Sequence, residues 1–421
     1  MARGLSRRGR LPDGALPVGP TPLSRARGVF LLVLLNAVAV VTALSIVEFW
    51  LARREVPAAV RYSVYPPDQV TTVRVDPRVT PGVHGDAEFR VNELGTRGPL
   101  PSSANARRIL AIGGSTTECF VLSLEESWPH RLGVLLSDAT GSGIWVGNIA
   151  RAGRNSRQHY FDATYVAPQF GRVDLALLLV GINDLFNRMI QGNAFEPADV
   201  VELESEGDYL HTALHVGAAA AGAWDFHLVR RGRRLMERLE LMVPANREIR
   251  RLLSHTLPDY YANARAMRAA RGITIDTIPP MSEALSEFER NLTLIIARLR
   301  GHGIEPVLIT QPALWRDGLT EQEDALLWLG SADGWPPNRE AGPYYSVDAM
   351  ERMLRLYNDT LRRVALTEHA PFIDLASIVT SEVSWFYDDI HFNEAGADRA
   401  ARALAEALLE DPTTGAIIGA P

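Results

Sequence analysis

A serine, a carboxylate and an imidazole occupy positions from which they could carry out nucleophilic chemistry. Ser115 follows the apolar run 108–113 (RILAIG) and two glycines that permit a sharp turn, so it would stand at a strand end and a helix start. A nucleophile there gains a backbone N–H donor and the positive end of the helix dipole. Asp388 precedes His391 by three residues, after the last apolar run. These residue types indicate acyl transfer through an activated serine.

Two further apolar runs end at hydrogen-bond donors. The run 144–149 (IWVGNI) leads into a glycine turn at Gly153, and the run 175–180 (LALLLV) leads to the amide of Asn183. Each feature is common by itself, because glycines mark turns and Asn and Asp cap helices. Their joint occurrence indicates a functional site, because open α/β sheets place their ligands at the carboxyl ends of the strands.

The apolar runs alternate with helical patterns, and this alternation predicts the elements that position the polar residues. Strands are expected over 108–113, 144–149, 175–180, 306–310 and 372–375, and helices near 127–137, 156–165, 281–300, 347–367 and 395–409. Short apolar strands separated by helices are typical of a parallel sheet that is covered on both faces. The sequence therefore predicts a three-layer α/β domain.

Two long connections interrupt the alternation. An insert over 185–280 has helical stretches and contains the cluster Arg230–Arg234, which is either a site for an anionic group or, more simply, a solvated helix face. A second excursion, 313–345, follows a strand and carries five large aromatic residues: Trp315, Trp328, Trp335, Tyr344 and Tyr345. These rings either stack on a substrate or pack the loop against the domain.

Taken together, these blocks resemble the SGNH hydrolase superfamily, also called the GDSL family. In that family a serine follows the first strand, a glycine and an asparagine follow the second and third, and a D-x-x-H motif lies near the C-terminus. The resemblance covers about 109–409, within a domain at 105–412, and implies a flavodoxin-like α/β/α fold. Gly114 stands where the family usually has aspartate, but Gly-Gly-Ser and the upstream stretch 89–98 (FRVNELGTRG) are similar to a membrane-attached branch.

The resemblance implies a role for each of the five residues. Ser115 would be the nucleophile, His391 its general base, and Asp388 the acid that orients the imidazole and stabilises its cation. The N–H groups of Ser115 and Gly153 and the side-chain amide of Asn183 would form an oxyanion hole.

Other polar residues have simpler interpretations. Asp389 is a rival orienting acid, and only the family spacing favours its neighbour; Asp184 is expected to fix a loop. His211 and His215 have the spacing of a helical metal pair but lack a third ligand, so no metal is expected. Cys119, the only cysteine, excludes a disulfide framework and is expected to be a small buried residue. No Walker or dinucleotide glycine fingerprint is present, so no cofactor is expected.

The first hundred residues lie outside the α/β pattern. Residues 1–27 carry six arginines among Gly, Pro and Ser, which predicts a disordered basic tail. The stretch 28–51 is nearly all apolar and long enough to span a bilayer, so we expect an uncleaved transmembrane signal anchor. The arginine excess before it predicts a cytoplasmic tail and an extracytoplasmic catalytic domain. Residues 52–104 are expected to form a juxtamembrane β-rich segment.

The expected function is a membrane-anchored serine esterase. Its partner would be an acylated substrate that carries O-acetyl or other short O-acyl esters, either a cell-envelope polysaccharide or a lipid ester. A formal net charge of −7 gives no basic excess, so nucleic acid is not an expected partner. The alternatives are an acyltransferase that passes the acyl group to a surface polysaccharide and a non-catalytic glycan-binding or assembly protein of the same fold.

Overall fold

The structure is a computed structural model that describes residues 33–36, 38–47, 62–102, 107–205, 208–216, 245–336 and 341–419. Its strands are β1 (Tyr62–Ser63), β2 (Val70–Val73), β3 (Ala87–Arg90), β4 (Arg107–Gly113), β5 (Ile144–Asn148), β6 (Leu175–Leu179), β7 (His215–Val216), β8 (Ile273–Ile275), β9 (Glu305–Ile309), β10 (Pro343–Tyr345) and β11 (Phe372–Ile373).

Beyond residue 100, its α-helices are α1 (Ser115–Glu118), α2 (Trp128–Thr140), α3 (Ser156–Phe161), α4 (Ile182–Gln191), α5 (Val200–Ser205), α6 (Asp208–Ala213), α7 (Ala245–Ala269), α8 (Ser282–Gly301), α9 (Glu321–Asp324), α10 (Val347–Thr367), α11 (Leu375–Ile378), α12 (Glu394–Glu410) and α13 (Pro412–Ile418).

A five-stranded parallel sheet forms the centre of the fold. The strand order is β11-β9-β6-β4-β5, and every residue of β5 and β6 is buried. In the β4–β6 pair, Gly113 lies opposite Leu179, so these two strands end at the same level. The residues that follow them are therefore brought together where the strand order reverses, which is where open α/β sheets form a crevice.

Helices cover both faces of this sheet. The crossover from β4 to β5 runs in the opposite direction to the later crossovers, and because such connections are right-handed, its helix α2 lies on the opposite face from α3, α8 and α10. α12 packs on α2, whereas α8 packs on α10 and α3. The α/β fold with a central parallel sheet that the sequence predicts is thus confirmed. The five predicted strands are the five strands of this sheet.

The connections contain smaller sheets that the sequence did not predict. β8 and β10 pair in parallel, and β7 pairs with β1 of the upstream segment. Within the predicted segment 52–104, β2 and β3 form an antiparallel hairpin, and the described residues 62–102 belong to the same compact unit as the sheet. The cluster Arg230–Arg234 lies outside the described residues.

The predicted transmembrane helix over 28–51 is not supported. Residues 33–36 and 38–47 are helical and their side chains are exposed, and the remainder of the stretch lies outside the described residues. Over the residues that the structure describes, no helix is both long enough and apolar enough to cross a membrane.

Candidate active site

Ser115 lies directly after the central strand β4, at the start of a single helical turn. Gly114 connects β4 to α1 in an extended conformation. A Cβ added to Gly113 would lie 2.6 Å from the carbonyl oxygen of Leu179. One added to Gly114 would lie 2.2 Å from Nδ2 of Asn183. Close packing between adjacent strand ends, and not a left-handed turn, therefore requires the two glycines.

The helix that begins at Ser115 is too short to give the helix-dipole effect that the sequence predicts. α1 has four residues, and the residue that caps its C-terminus, Cys119, adopts a left-handed conformation with φ of 54°. The macrodipole is a sum over aligned peptide units, so a helix of this length contributes little of it. The contribution that the sequence predicts for the helix dipole is therefore small. The other predicted feature, the backbone N–H donor of Ser115, is unaffected.

The structure brings Ser115, His391 and Asp388 into one hydrogen-bonded chain. Nε2 of His391 lies 2.7 Å from Oγ of Ser115. Nδ1 of the same ring lies 2.7 Å from Oδ2 and 2.9 Å from Oδ1 of Asp388. A hydroxyl, an imidazole and a carboxylate in this order are the arrangement in which the base can take the serine proton while the acid holds the tautomer.

The turn that carries the acid and the base is held by its own backbone. The N–H groups of Ile390 and His391 donate to Oδ1 of Asp388, at 3.0 and 2.9 Å. The ring of Tyr387 stacks on that of His391, with centroids 5.4 Å apart and planes 7° from parallel. Asn393 then caps α12 through the N–H of Gly396. The imidazole is therefore oriented before any substrate arrives.

Burial and charge act against each other in this pair. Asp388 is fully buried, which alone would raise its pKa, but the charge of His391 and the hydrogen bonds hold the pKa below its usual value. Burial alone would lower the pKa of His391, whereas the charge and hydrogen bonding of Asp388 raise it above the usual 6.5. The pair is thus set to stabilise an imidazolium, the species that forms when the serine gives up its proton.

Asp389 faces away from His391 and binds the aromatic excursion. Its carboxylate accepts hydrogen bonds from Nε1 of Trp315 at 2.8 Å and from the N–H groups of Trp328 at 2.7 Å and Leu329 at 3.2 Å. Burial, and then the charge of Asp388, raise the pKa of Asp389. The rival acid is therefore not in contact with the imidazole.

Gly153 and Asn183 lie near the turn that begins at Ser115. Nδ2 of Asn183 donates to the carbonyl oxygen of Arg154 at 2.9 Å, next to Gly153, and the proximity of Nδ2 to Gly114 places it beside Ser115. Gly153 is exposed, with φ of +78°, and nothing lies within 4 Å of the position that a Cβ would occupy. A side-chain amide and an open backbone donor thus flank the turn.

Asp184 has the structural contacts that the sequence analysis expects of it. Its carboxylate accepts the backbone N–H of Ser156 at 3.1 Å and the hydroxyl of the same residue at 2.5 Å, which ties the start of α4 to the start of α3. Burial raises its pKa to about 7. Asn291 completes the cluster by donating to the Ser156 hydroxyl.

The two histidines of the possible metal pair lie in different elements. α6 ends at Ala213, so His211 lies on the helix and His215 lies in β7. Over the described residues, no three His, Cys, Asp or Glu side chains form a group that could hold a metal ion. Cys119 is buried, as expected, and burial raises the pKa of its thiol to about 11.

The aromatic excursion mostly packs against the domain. Trp315, Trp328, Tyr344 and Tyr345 are buried, and Trp335 is only partly so. Trp328 also reaches the acid, since its Nε1 donates to Oδ2 of Asp388 at 3.0 Å. This contact was not predicted, because its one sign in the sequence is the presence of tryptophans near a strand end.

A buried carboxylate near Ser115 was not predicted either. Glu118, at the end of α1, accepts the N–H of Ala152 at 2.9 Å and the hydroxyl of Tyr65. Arg97, from the upstream stretch that resembles the membrane-attached branch, donates to the carbonyl oxygens of Glu118 and Cys119 at 2.6 and 2.7 Å. The one sign of these contacts in the sequence is that Glu118 is charged, whereas its neighbours after Ser115 are apolar or small.

Comparison with known proteins identifies the class. A model of the GDSL-like lipase/acylhydrolase family matches residues 111–399. An acetylxylan esterase from Geobacillus stearothermophilus is 14% identical, covers 72% of this chain and 94% of its own, and has a TM-score of 0.38. An alpha/beta hydrolase enzyme from the metagenome of Lake Arreo, Spain, is 16% identical, covers 75% and 97%, and has a TM-score of 0.37. A search of curated proteins finds no match.

The family model covers more than half of the chain and matches all the blocks that carry the polar residues. The protein is a carboxylic ester hydrolase with an α/β fold. It belongs to the GDSL-like lipase/acylhydrolase family.

Proposed function

We propose that the protein hydrolyses O-acyl esters through a Ser115–His391–Asp388 triad. The observation that carries this proposal is the continuous chain from Oγ of Ser115 through both nitrogens of His391 to Asp388, with 2.7 Å at each link. This is the distance at which a proton passes between a nucleophile and its base. The lowered pKa of Asp388 and the raised pKa of His391 both favour the ion pair of a carboxylate and an imidazolium.

The reaction has two acyl-transfer steps. Ser115 Oγ attacks the ester carbonyl while His391 takes the hydroxyl proton, and the alkoxide leaves with that proton as the C–O bond breaks. Water then attacks the acyl-enzyme and gives a proton to His391, which passes it to Oγ of Ser115 as the acyl–oxygen bond breaks and the acid product leaves. The N–H groups of Ser115 and Gly153 and the amide of Asn183 stabilise the oxyanion in both steps.

We propose O-acetyl or other short acyl esters on a cell-envelope glycan as the substrate. The support is an open group of aromatic rings near the acid. Trp335 donates to the hydroxyl of Tyr260 at 2.9 Å, Tyr260 is 43% exposed, and both rings pack on Trp328, which binds Asp388. Exposed aromatic faces beside a catalytic residue suit a sugar ring, which has apolar C–H faces and polar edges.

The location of the enzyme is part of the same proposal. We propose that 28–51 anchors the chain in a membrane, with the arginine-rich tail in the cytoplasm and the catalytic domain outside. The support comes from the apolar composition of 28–51 and the arginines before it. Protease added to intact spheroplasts would then digest the chain after Arg54 and leave the tail protected; protection of the catalytic domain would contradict the proposed orientation.

A fluorophosphonate probe tests the catalytic proposal. Mass spectrometry of the adduct is expected to find the label on Ser115, and Ser115→Ala is expected to lose both labelling and hydrolysis of a short-chain aryl ester while it stays folded. Labelling of a different residue would overturn the triad. Supplying an acetylated oligosaccharide with and without an acceptor sugar separates the acyltransferase: acyl transfer in preference to release of free acid would exclude hydrolysis as the main reaction.

A further inference from the structure

The loop that carries Gly153 is attached to the nucleophile turn through backbone hydrogen bonds. We call residues 151–154 the oxyanion loop. The N–H of Arg151 donates to the carbonyl oxygen of Gly113 at 3.2 Å, and the N–H of Ala152 donates to Oε2 of Glu118 at 2.9 Å. Because the space beside Gly153 is empty, no side chain packs on its Cα from that side. The position of its N–H therefore depends on the hydrogen bonds of the loop, which include these two and those that join Arg154 to Asn183 and Asp162.

Glu118 can hold the loop because its own carboxylate is fixed from the opposite side. It is 4% exposed, and its second oxygen, Oε1, accepts the hydroxyl of Tyr65. The guanidinium of Arg151 lies over the Tyr65 ring, 5.4 Å from its centroid. A buried carboxylate with a donor on each oxygen is stable in one geometry and costly in any other, since a lost partner leaves a buried charge unpaired.

The peptide around Glu118 is fixed as well. Arg97 is buried and donates to the carbonyl oxygens of Glu118 and Cys119, where α1 ends. The backbone of Arg97 pairs with Asn148, the last residue of β5, three residues before the oxyanion loop begins. The upstream segment thus contacts both the turn that holds Ser115 and the strand that leads to Gly153.

We propose that Glu118 is a positioning residue that, with Tyr65, sets the oxyanion loop relative to Ser115. The proposal rests on the proposed function, because it assumes that the N–H of Gly153 stabilises the oxyanion. Two donors that bind one oxygen must lie at a fixed separation, and Glu118 connects the element that carries one donor to the loop that carries the other. The segment 62–98 is then part of the active-site structure, and not a spacer before it.

Glu118→Gln tests this positioning role, with Glu126→Gln as the matched control. A glutamine has one acceptor oxygen and one NH2 group in place of two acceptor oxygens, so it can keep the Ala152 N–H only if the Tyr65 hydroxyl reverses to accept a hydrogen bond. Both bonds then lose the strength that the carboxylate charge gives them. Glu126 makes the same kind of bond, accepting the N–H of Ser123 at 2.8 Å, but in the turn before α2. We expect Glu118→Gln to lower kcat by about 10- to 100-fold with KM nearly unchanged, and Glu126→Gln to leave both unchanged.

Tyr65→Phe gives a second, milder variant that keeps the carboxylate in place. We expect its kcat to fall in the same direction by a smaller factor, with KM unchanged. A kcat per folded molecule equal to wild type in both variants, with only the melting temperature lowered, would overturn the proposal. If Glu118→Gln does not fold, Tyr65→Phe decides: an unchanged kcat rejects the positioning role.

The failure of this inference differs from a failure of the proposed function. If the triad proposal is wrong, the wild-type protein fails to label at Ser115 or to hydrolyse the aryl ester. If only the role of Glu118 is wrong, wild type labels and turns over normally, and Glu118→Gln does so at the same rate. An inhibitor that forms a tetrahedral adduct, such as an alkyl boronic acid, is expected to bind Glu118→Gln more weakly by the same factor as the loss in kcat.

Discussion

The two sides of Ser115 are built differently. On the base side, Asp388 and Asp389 are fully buried and His391 is 6% exposed, and each carboxylate accepts several hydrogen bonds within the protein. On the oxyanion side, Asn183 is only half-buried and Gly153 is exposed. The proposed acid and base are held by the protein itself, whereas the two proposed oxyanion donors Asn183 and Gly153 are more accessible to solvent.

The two sides differ because the charge of Asp388 is permanent, whereas the charge of the oxyanion is transient. Asp388 is charged in the resting enzyme, so its partners must be present permanently or the buried carboxylate would be costly. The oxyanion exists only while substrate is bound, so its donors must be accessible to the substrate and need only be held in place. Substitutions on the base side should therefore change protonation and stability, and those on the oxyanion side should change kcat alone.

The largest expected effect separates the two adjacent aspartates of the base side. Asp388→Asn is expected to lower kcat by about 10⁴, because an amide stabilises the wrong imidazole tautomer and no cation. Asp389→Asn is expected to keep kcat within about tenfold but to lose about 1–3 kcal/mol of stability, since its amide group would face the donors of the excursion. Steady-state kinetics and thermal melts of the two variants measure this. The reverse order of kcat would reassign the orienting acid to Asp389.

The next effect tests the oxyanion side. Asn183→Ala is expected to lower kcat by roughly 10²–10³, about 2.7–4 kcal/mol, with KM nearly unchanged, because the donor binds the transition state more strongly than the substrate. Its melting temperature should change little, since within the described part of the chain the amide makes one hydrogen bond, to a carbonyl oxygen. A structural asparagine would give the opposite result: an unchanged kcat and a lower melting temperature.

A smaller effect distinguishes two tryptophans that bind the two aspartates. Trp328→Phe removes the donor to Asp388, which leaves the carboxylate more basic and its interaction with the imidazolium stronger. We expect kcat near neutral pH to fall by about tenfold and the acid limb of the pH profile to move to higher pH. Trp315→Phe removes a donor to Asp389 and is the matched control. An equal shift of the acid limb in both variants would show that packing, and not the hydrogen bond, is responsible.

The smallest expected effect concerns the pH profile of kcat/KM in the wild-type enzyme, in particular the acid limb, where activity rises with pH. His391 must be neutral to act as a base, so kcat/KM rises with pH through its pKa. Burial lowers that pKa, but the charges of Asp388, Asp389 and Glu118 raise it, and the net pKa is above the usual 6.5. We therefore expect the midpoint of the acid limb above 6.5. A midpoint below this value would mean that burial outweighs the carboxylates.

The regular part of the fold could be predicted from local sequence. Each strand of the sheet is a short apolar run because both faces are buried, and each main helix has a matching period, so element type follows from neighbours in the chain. The polar residues at the strand ends could be predicted as a set for a related reason. The carboxyl ends of parallel strands share one edge, so Ser115, Gly153 and Asn183 converge once the strands are known.

The pairing of those residues was decided by tertiary structure. Sequence reasoning placed Asp388 above Asp389 only through a family spacing, whereas the structure shows one carboxylate on the imidazole and the other on the excursion. The contacts of Glu118 with Tyr65 and Ala152, and of Trp328 with Asp388, join residues 34 to 60 positions apart. Such contacts leave no period or spacing in the chain, because they depend on how separate elements pack. The sequence by itself determined which chemical groups reach the edge of the sheet, and only the packing of the chain decided which of them bind one another.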